Sequence, residues 1–165
     1  MISFVKTFLI ALIAILIIPV ISRANTLVIK TVHSGDLIEF EGGFIVRLTG
    51  IKVPDKSTEL GYKVYKFTKS ELEGKIVKVF TYTTNNMASG IVYDEEGYPF
   101  AMIIYGKSMN SNDWSKNFNE LLLKKGYAKV DEEYLPDELK YFKDIERKAR
   151  RKKIGIWKNE SEDKR

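Results

Sequence analysis

Two aspartates, an arginine and a run of cations are the side chains whose types and settings could do chemistry here. Asp36 follows Gly35 in a turn, where a carboxylate can ligate a hard cation or accept the hydrogen bonds that stabilise the turn. Arg47 stands one residue from Leu48 in an alternating segment, so the two face opposite sides of a strand. Asp55 follows Pro54, just past the end of that segment. Lys148, Arg150, Arg151, Lys152 and Lys153 form a basic run. Cations near a helix C-terminus are favoured by the dipole, so the run reads as a solvated face or as a contact for a polyanion. His33, the one histidine, sits beside a turn and reads as structural rather than catalytic.

These residues need elements to hold them, and the period of the apolar positions predicts which. From Thr26 to Phe40, two short alternating runs flank His33-Ser34-Gly35-Asp36, giving strand, turn and strand. Glu41-Gly42-Gly43 is a second turn, and Phe44 to Ile51 continues as a third strand of a meander. Pro54 stops it. From Ser57, Leu60, Val64, Phe67 and Leu72 recur at helical spacing up to Gly74. Ile76–Tyr82 and Ala101–Tyr105 return to the two-residue period. Gly106 to Lys116 is polar and rich in Ser and Asn, a long hairpin loop. Asn117 or Asn119 can cap a short helix ending at Gly126. Pro136-Asp137 opens the last helix, with Leu139, Phe142, Ile145 and Ala149 on one face and Gly155 at its end. Trp157 lies just beyond, placed to fold back on the core. Short antiparallel strands with helices between them predict a small barrel covered by helices.

The N-terminus reads as an export signal. Lys6 precedes an apolar stretch from Phe8 to Val20, and Ser22-Arg23-Ala24 offers a small-x-small cleavage site. The stretch falls short of the ~20 apolar residues of a spanning helix. Residues 1–24 are therefore expected to be a cleaved signal peptide, with an uncleaved membrane anchor as the alternative. Cleavage leaves 25 basic against 22 acidic residues, a net +3, which is too mild to mark a nucleic-acid binder by itself. The chain has no cysteine, so it carries no disulfide framework and no lipid on a cysteine. Roughly 140 remaining residues suit one packed domain. The expected division is signal 1–24, domain 25–158 and a charged tail 159–165.

Several segments together resemble the staphylococcal nuclease family. Ser34-Gly35-Asp36 stands where that family has an Asp-Gly-Asp turn, and Val46-Arg47-Leu48 through Val53-Pro54-Asp55 resembles its Arg-Leu…Asp-Thr-Pro-Glu segment. Asp94-Glu95-Glu96-Gly97-Tyr98 takes the place of an Asp-Arg-Tyr-Gly-Arg turn. Asn119-Glu120-Leu121, Lys125-Gly126-Tyr127-Ala128 and Ala149 to Trp157 are similar to the helix, turn and closing helix that follow. The resemblance covers nearly the whole chain after the signal. It implies an α+β fold of β-barrel type, an OB-fold five-stranded barrel with three helices.

The resemblance also implies a site. Cleaving members hold one calcium ion with carboxylates, activate water with a glutamate and place two arginines on the phosphate. On that pattern Asp36 is a metal ligand and Arg47 the first phosphate arginine. Lys52 falls at the second metal carboxylate, and an ammonium cannot ligate a cation; it is expected either to fill the calcium position and pair with Asp36 or to point to solvent. Asp55 replaces the general-base glutamate one methylene short, and a misplacement of about an ångström can cost about a hundredfold in rate. Tyr98 replaces the second arginine, offering one neutral hydrogen bond where two charge-assisted ones belong. Tyr134 resembles a nucleotide-contacting tyrosine, whereas Glu95 and Glu96 would repel an end phosphate.

Three functions follow. The first is an exported, catalytically impaired domain, a pseudoenzyme that binds single-stranded nucleic acid or another polyanion through the barrel, Tyr98, Tyr134 and the basic residues Lys148, Arg150 and Arg151. The second is an active or weak calcium-dependent secreted endonuclease, with calcium as cofactor if active. The third is a cell-envelope module that meets a protein partner through the loop carrying Met109 and Trp114. Each is expected as a secreted or periplasmic monomer with no membrane span after cleavage, or as an N-terminally anchored form.

Overall fold

The computed structural model describes residues 26–83, 90–106, 114–133 and 139–158. Residues 1–24, Met109, Tyr134, Pro136-Asp137 and the tail 159–165 lie outside the described residues. No helix among the described residues is long and apolar enough to cross a membrane.

The meander forms as its alternation predicts. Strands β1 (Thr26–Val32), β2 (Leu37–Phe40) and β3 (Ile45–Leu48) pair antiparallel in sequence. Their inward residues, Ile29, Val32, Ile38, Phe40, Val46 and Leu48, are all buried. Each such side chain contributes about 1.5–3 kcal/mol on leaving water. β5 (Ile76–Thr81) joins the far side of β1, and β6 (Phe100–Tyr105) follows β5 antiparallel. The sheet then closes on itself, because β3 and β6 run parallel through Arg47 opposite Phe100 and Leu48 opposite Ala101. The result is a five-stranded barrel with three helices, an OB-type α+β fold, as expected.

The third strand ends earlier than its apolar pattern suggests. Gly50 takes φ +70°, which turns the chain out of the barrel after Leu48. Ile51–Lys52, β4, then pairs with Lys129–Val130, β8, in a separate ribbon. That departure carries Lys52 away from the barrel sheet.

Helix α1 (Glu59–Leu72) is capped by Thr58, whose hydroxyl accepts from the Gly61 amide. It buries Gly61, Val64, Thr68 and Leu72. A two-residue strand, β7 (Lys116–Asn117), pairs antiparallel with β6 and returns the chain to helix α2 (Phe118–Lys124). Of the two candidate caps, Asn117 caps α2 through the Glu120 amide. Asn119 is fully buried instead: its amide nitrogen donates to the Thr49 carbonyl at 2.9 Å, and its oxygen accepts from the Ile103 amide at 3.3 Å. It thereby ties α2 to both strands at the barrel seam. Helix α3 (Leu139–Arg151) buries Phe142, Ile145 and Ala149, and a 3₁₀ turn (Gly155–Trp157) returns Trp157 to a buried position.

Candidate functional site at the barrel mouth

Asp36 is placed by a close approach of α1. The Thr68 hydroxyl donates to the Gly35 carbonyl at 3.0 Å, and a Cβ on Gly35 would lie 2.7 Å from Val64 Cγ1. A side chain at that position would push the turn off the helix. Asp36 is 9% exposed, accepts from Ser34 Oγ at 2.7 Å and faces Arg47 Nη1 at 3.5 Å. Its backbone carbonyl receives the Leu48 amide at 2.9 Å, which locks the turn to β3. The two residues expected at one site do share a cleft of about 370 Å³.

Arg47 does not present a free guanidinium there. Its Nε donates to Asp94 at 2.5 Å, Nη2 to Glu96 at 2.9 Å and Nη1 faces Asp36. Burial alone would lower its pKa, but the Asp94 bond and the charges of Asp36, Asp94 and Glu96 hold it above the usual range. Asp94 answers in kind. Burial raises its pKa, yet the Arg47 bond, the Tyr98 amide and the Arg47 charge together bring it below the ordinary value. The turn that holds Asp94 is self-bonded, its carboxylate accepting the Glu96 amide at 3.0 Å and the Tyr98 amide at 2.8 Å.

Lys52 is not paired with Asp36. Its ammonium lies 3.2 Å from Asp131, on the residue that follows β8, and its side chain is 68% exposed. The reason is the ribbon: β4 leaves the barrel at Gly50 and aligns Lys52 beside β8. Asp131, 7% exposed, is a cleft carboxylate that sequence reasoning missed. Only its following the strand partner of β4 could have indicated it.

Asp55 and Tyr98 do not line the cleft with Arg47. Asp55 is exposed and accepts from the Ser57 hydroxyl at 2.6 Å and the Ser57 amide at 2.7 Å, which lower its pKa and weaken it as a base. Tyr98 lines a separate groove with Phe44, Tyr93 and Pro99. Tyr134 lies outside the described residues. Lys148, Arg150 and Arg151 are exposed on the last turns of α3, with the Arg150 guanidinium 4.7 Å from the Trp157 ring centre.

The cleft is lined by six carboxylates, Asp36, Asp94, Glu95, Glu96, Asp131 and Glu133, against Arg47 and Lys52. These residues do not fit a calcium ion. Asp36 is committed to Ser34 and Arg47, the Lys52 ammonium lines the same cleft, and among the described residues no three acids or histidines are grouped to hold a metal. For an incoming phosphate, the guanidinium charge is already met three times.

The comparisons agree with this architecture. An uncharacterized protein of Methanocaldococcus jannaschii is 36% identical over 114 residues, covering 67% of this chain and 49% of the relative. The chain thus spans about half the length of the curated relative it matches. Residues 45–159 match the family described as "Staphylococcal nuclease homologue", a match that contains the barrel seam, all three helices and Arg47, and the chain belongs to that family.

Proposed function

We propose that this is an exported nuclease-like domain that has lost efficient phosphodiester cleavage and binds single-stranded nucleic acid or another polyanion. The observation that carries the reading is the engagement of Arg47 by Asp36, Asp94 and Glu96. A guanidinium stabilises a phosphoryl transition state only to the extent that its charge and donors are available as charge develops. Here a phosphate must displace carboxylates and face the acids around them. The second arginine is replaced by Tyr98, in another groove, and loss of one such donor typically costs about 2.7–4 kcal/mol. Asp55, the remaining base candidate, is held by Ser57.

A weak nuclease is the competing reading, favoured by Asp36 and Arg47 still sharing one cleft. The deciding measurement is cleavage of a labelled single-stranded oligonucleotide in calcium and in chelator, beside Arg47→Ala. The expected result is salt-sensitive binding without turnover. Calcium-dependent turnover that disappears in Arg47→Ala would overturn the proposal and make the protein an enzyme with an altered site.

A further inference from the structure

Two groups of cations in this molecule are held in different ways. At the barrel mouth Arg47 and Lys52 are both met by carboxylates. In a groove beside the first turns of α1 the situation is reversed. Lys63, Lys66 and Lys158 line an open groove of about 800 Å³ between α1 and the 3₁₀ turn, and among the described residues no carboxylate pairs with any of them. Glu59 is the one acid in that lining.

Two of these three ammonium groups lie over rings instead. Lys66 sits 4.9 Å from the ring centre of Tyr62 and Lys63 5.9 Å from that of Tyr127. A ring holds a cation without neutralising it, so the charge stays available to an anion. Tyr62 is 50% exposed, an aromatic surface open to a ligand.

The far wall of the groove is fixed by backbone. Gly155 packs on Gly126 so closely that a Cβ there would meet the Gly126 carbonyl oxygen at 1.9 Å, and the same oxygen accepts the Ile156 amide at 2.8 Å. The basic run of α3 ends at Lys152-Lys153, immediately before this wall.

We infer that the α1 groove is the nucleic-acid-binding face: a single strand lies along it with phosphates on Lys63, Lys66 and Lys158 and a base stacked on Tyr62. The inference rests on the reading of the domain as a polyanion binder and moves that binding away from the acidic barrel mouth. Unpaired cations interleaved with exposed aromatic surface suit a strand whose bases are free to stack. A duplex keeps its bases inside. An anionic lipid surface would use the lysines and leave the ring idle.

The test is fluorescence anisotropy of a labelled oligothymidylate across a range of salt. The wild type, with and without heparin as competitor, is compared with K63Q/K66Q/K158Q, Tyr62→Ala, Arg47→Ala and a charge-matched control, K30Q/K75Q/K143Q. Thermal melts establish that each variant is folded. The groove triple should flatten the slope of log affinity against log salt by about 2, three contacts at about 0.7 each for a single strand. Tyr62→Ala should weaken binding about tenfold, and the control should bind as the wild type does. Equal losses in the groove triple and the control would overturn the inference in favour of diffuse charge. A loss confined to Arg47→Ala would return binding to the barrel mouth. A lysine effect without a tyrosine effect, with heparin competing equally well, would overturn the nucleic-acid assignment. Absence of binding by the wild type is the separate result that removes the underlying function as well.

Discussion

The Lys52 ammonium and the Asp131 carboxylate lie 3.2 Å apart beside the β4–β8 ribbon, so the lysine has its counterion outside the turn that holds Asp36. The pair is lopsided, with Lys52 largely in solvent and Asp131 buried. Exposed pairs contribute about 0–1 kcal/mol. Lys52→Ala should therefore cost less than about 1 kcal/mol in urea unfolding. Asp131→Ala should cost more, about 1–3 kcal/mol, because Asp131 also accepts the Glu133 amide at 3.2 Å. The reverse order would contradict the assignment.

Calcium should leave the melting temperature unchanged at millimolar concentration, since Asp36 is committed to Ser34 and Arg47. Any ion that bound the folded state alone would raise it by mass action. A rise that vanishes in Asp36→Ala would show that the cleft opens to a cation.

Acid should unfold the protein partly through Asp94. Its folded pKa lies below the unfolded value despite burial, because of the Arg47 bond, the Tyr98 amide and the Arg47 charge. Such a group contributes stability that is fully present above the unfolded pKa of about 3.9 and is lost as pH falls through the folded value. Urea midpoints should hold level at neutral pH and fall on the acid side. Asp94→Asn should lower the neutral plateau by about 1–3 kcal/mol and flatten the acid fall.

Asn119→Ala should be among the more damaging single changes. It strips the Ile103 amide and the Thr49 carbonyl of a partner deep in the core. A buried group left unpaired costs about 1–3 kcal/mol, and the Ile103 amide is exposed to that cost here. Loss of Asn117, the α2 cap, should be milder at about 1 kcal/mol. Thermal unfolding of the two variants side by side checks the ranking.

Gly61→Ala should reverse the usual sign for a helical glycine. In an open helix the change gains about 1 kcal/mol. Here the new Cβ would stand 1.8 Å from the Asp55 carbonyl oxygen, so either α1 or the Pro54-Asp55 segment must move. A melting temperature equal to or above the wild type would show that the contact is not rigid.

Much of this arrangement is readable from residue types alone. The alternation through Phe40 and Leu48 dictates the meander, and the glycine before Asp36 marks a turn, whereas its close approach to Val64 appears only once α1 packs there. What escapes is whatever depends on pairing between distant segments. Asp131 enters the cleft because β8 meets β4, and nothing local to Val130-Asp131 signals that ribbon. Tyr98 leaves the cleft because Tyr93 bridges to Pro99 and turns that segment toward Phe44. On α1, Tyr62, Lys63, Tyr65 and Lys66 read as an ordinary solvated face. Only the 3₁₀ turn docked on Gly126 makes a groove of it.

The seam between β3 and β6 is closed by two residue pairs, one of which is Arg47 with Phe100. The Arg47 amide donates to the Pro99 carbonyl at 3.0 Å, and its guanidinium reaches the Asp94 turn on the same side of the joint. Arg47 thus works as a rivet, fastening the two edges of a rolled sheet by backbone and side chain together. An arginine so placed helps to hold the barrel shut even if no phosphodiester is ever cut, so in this chain Arg47 has an architectural task beside any chemical one.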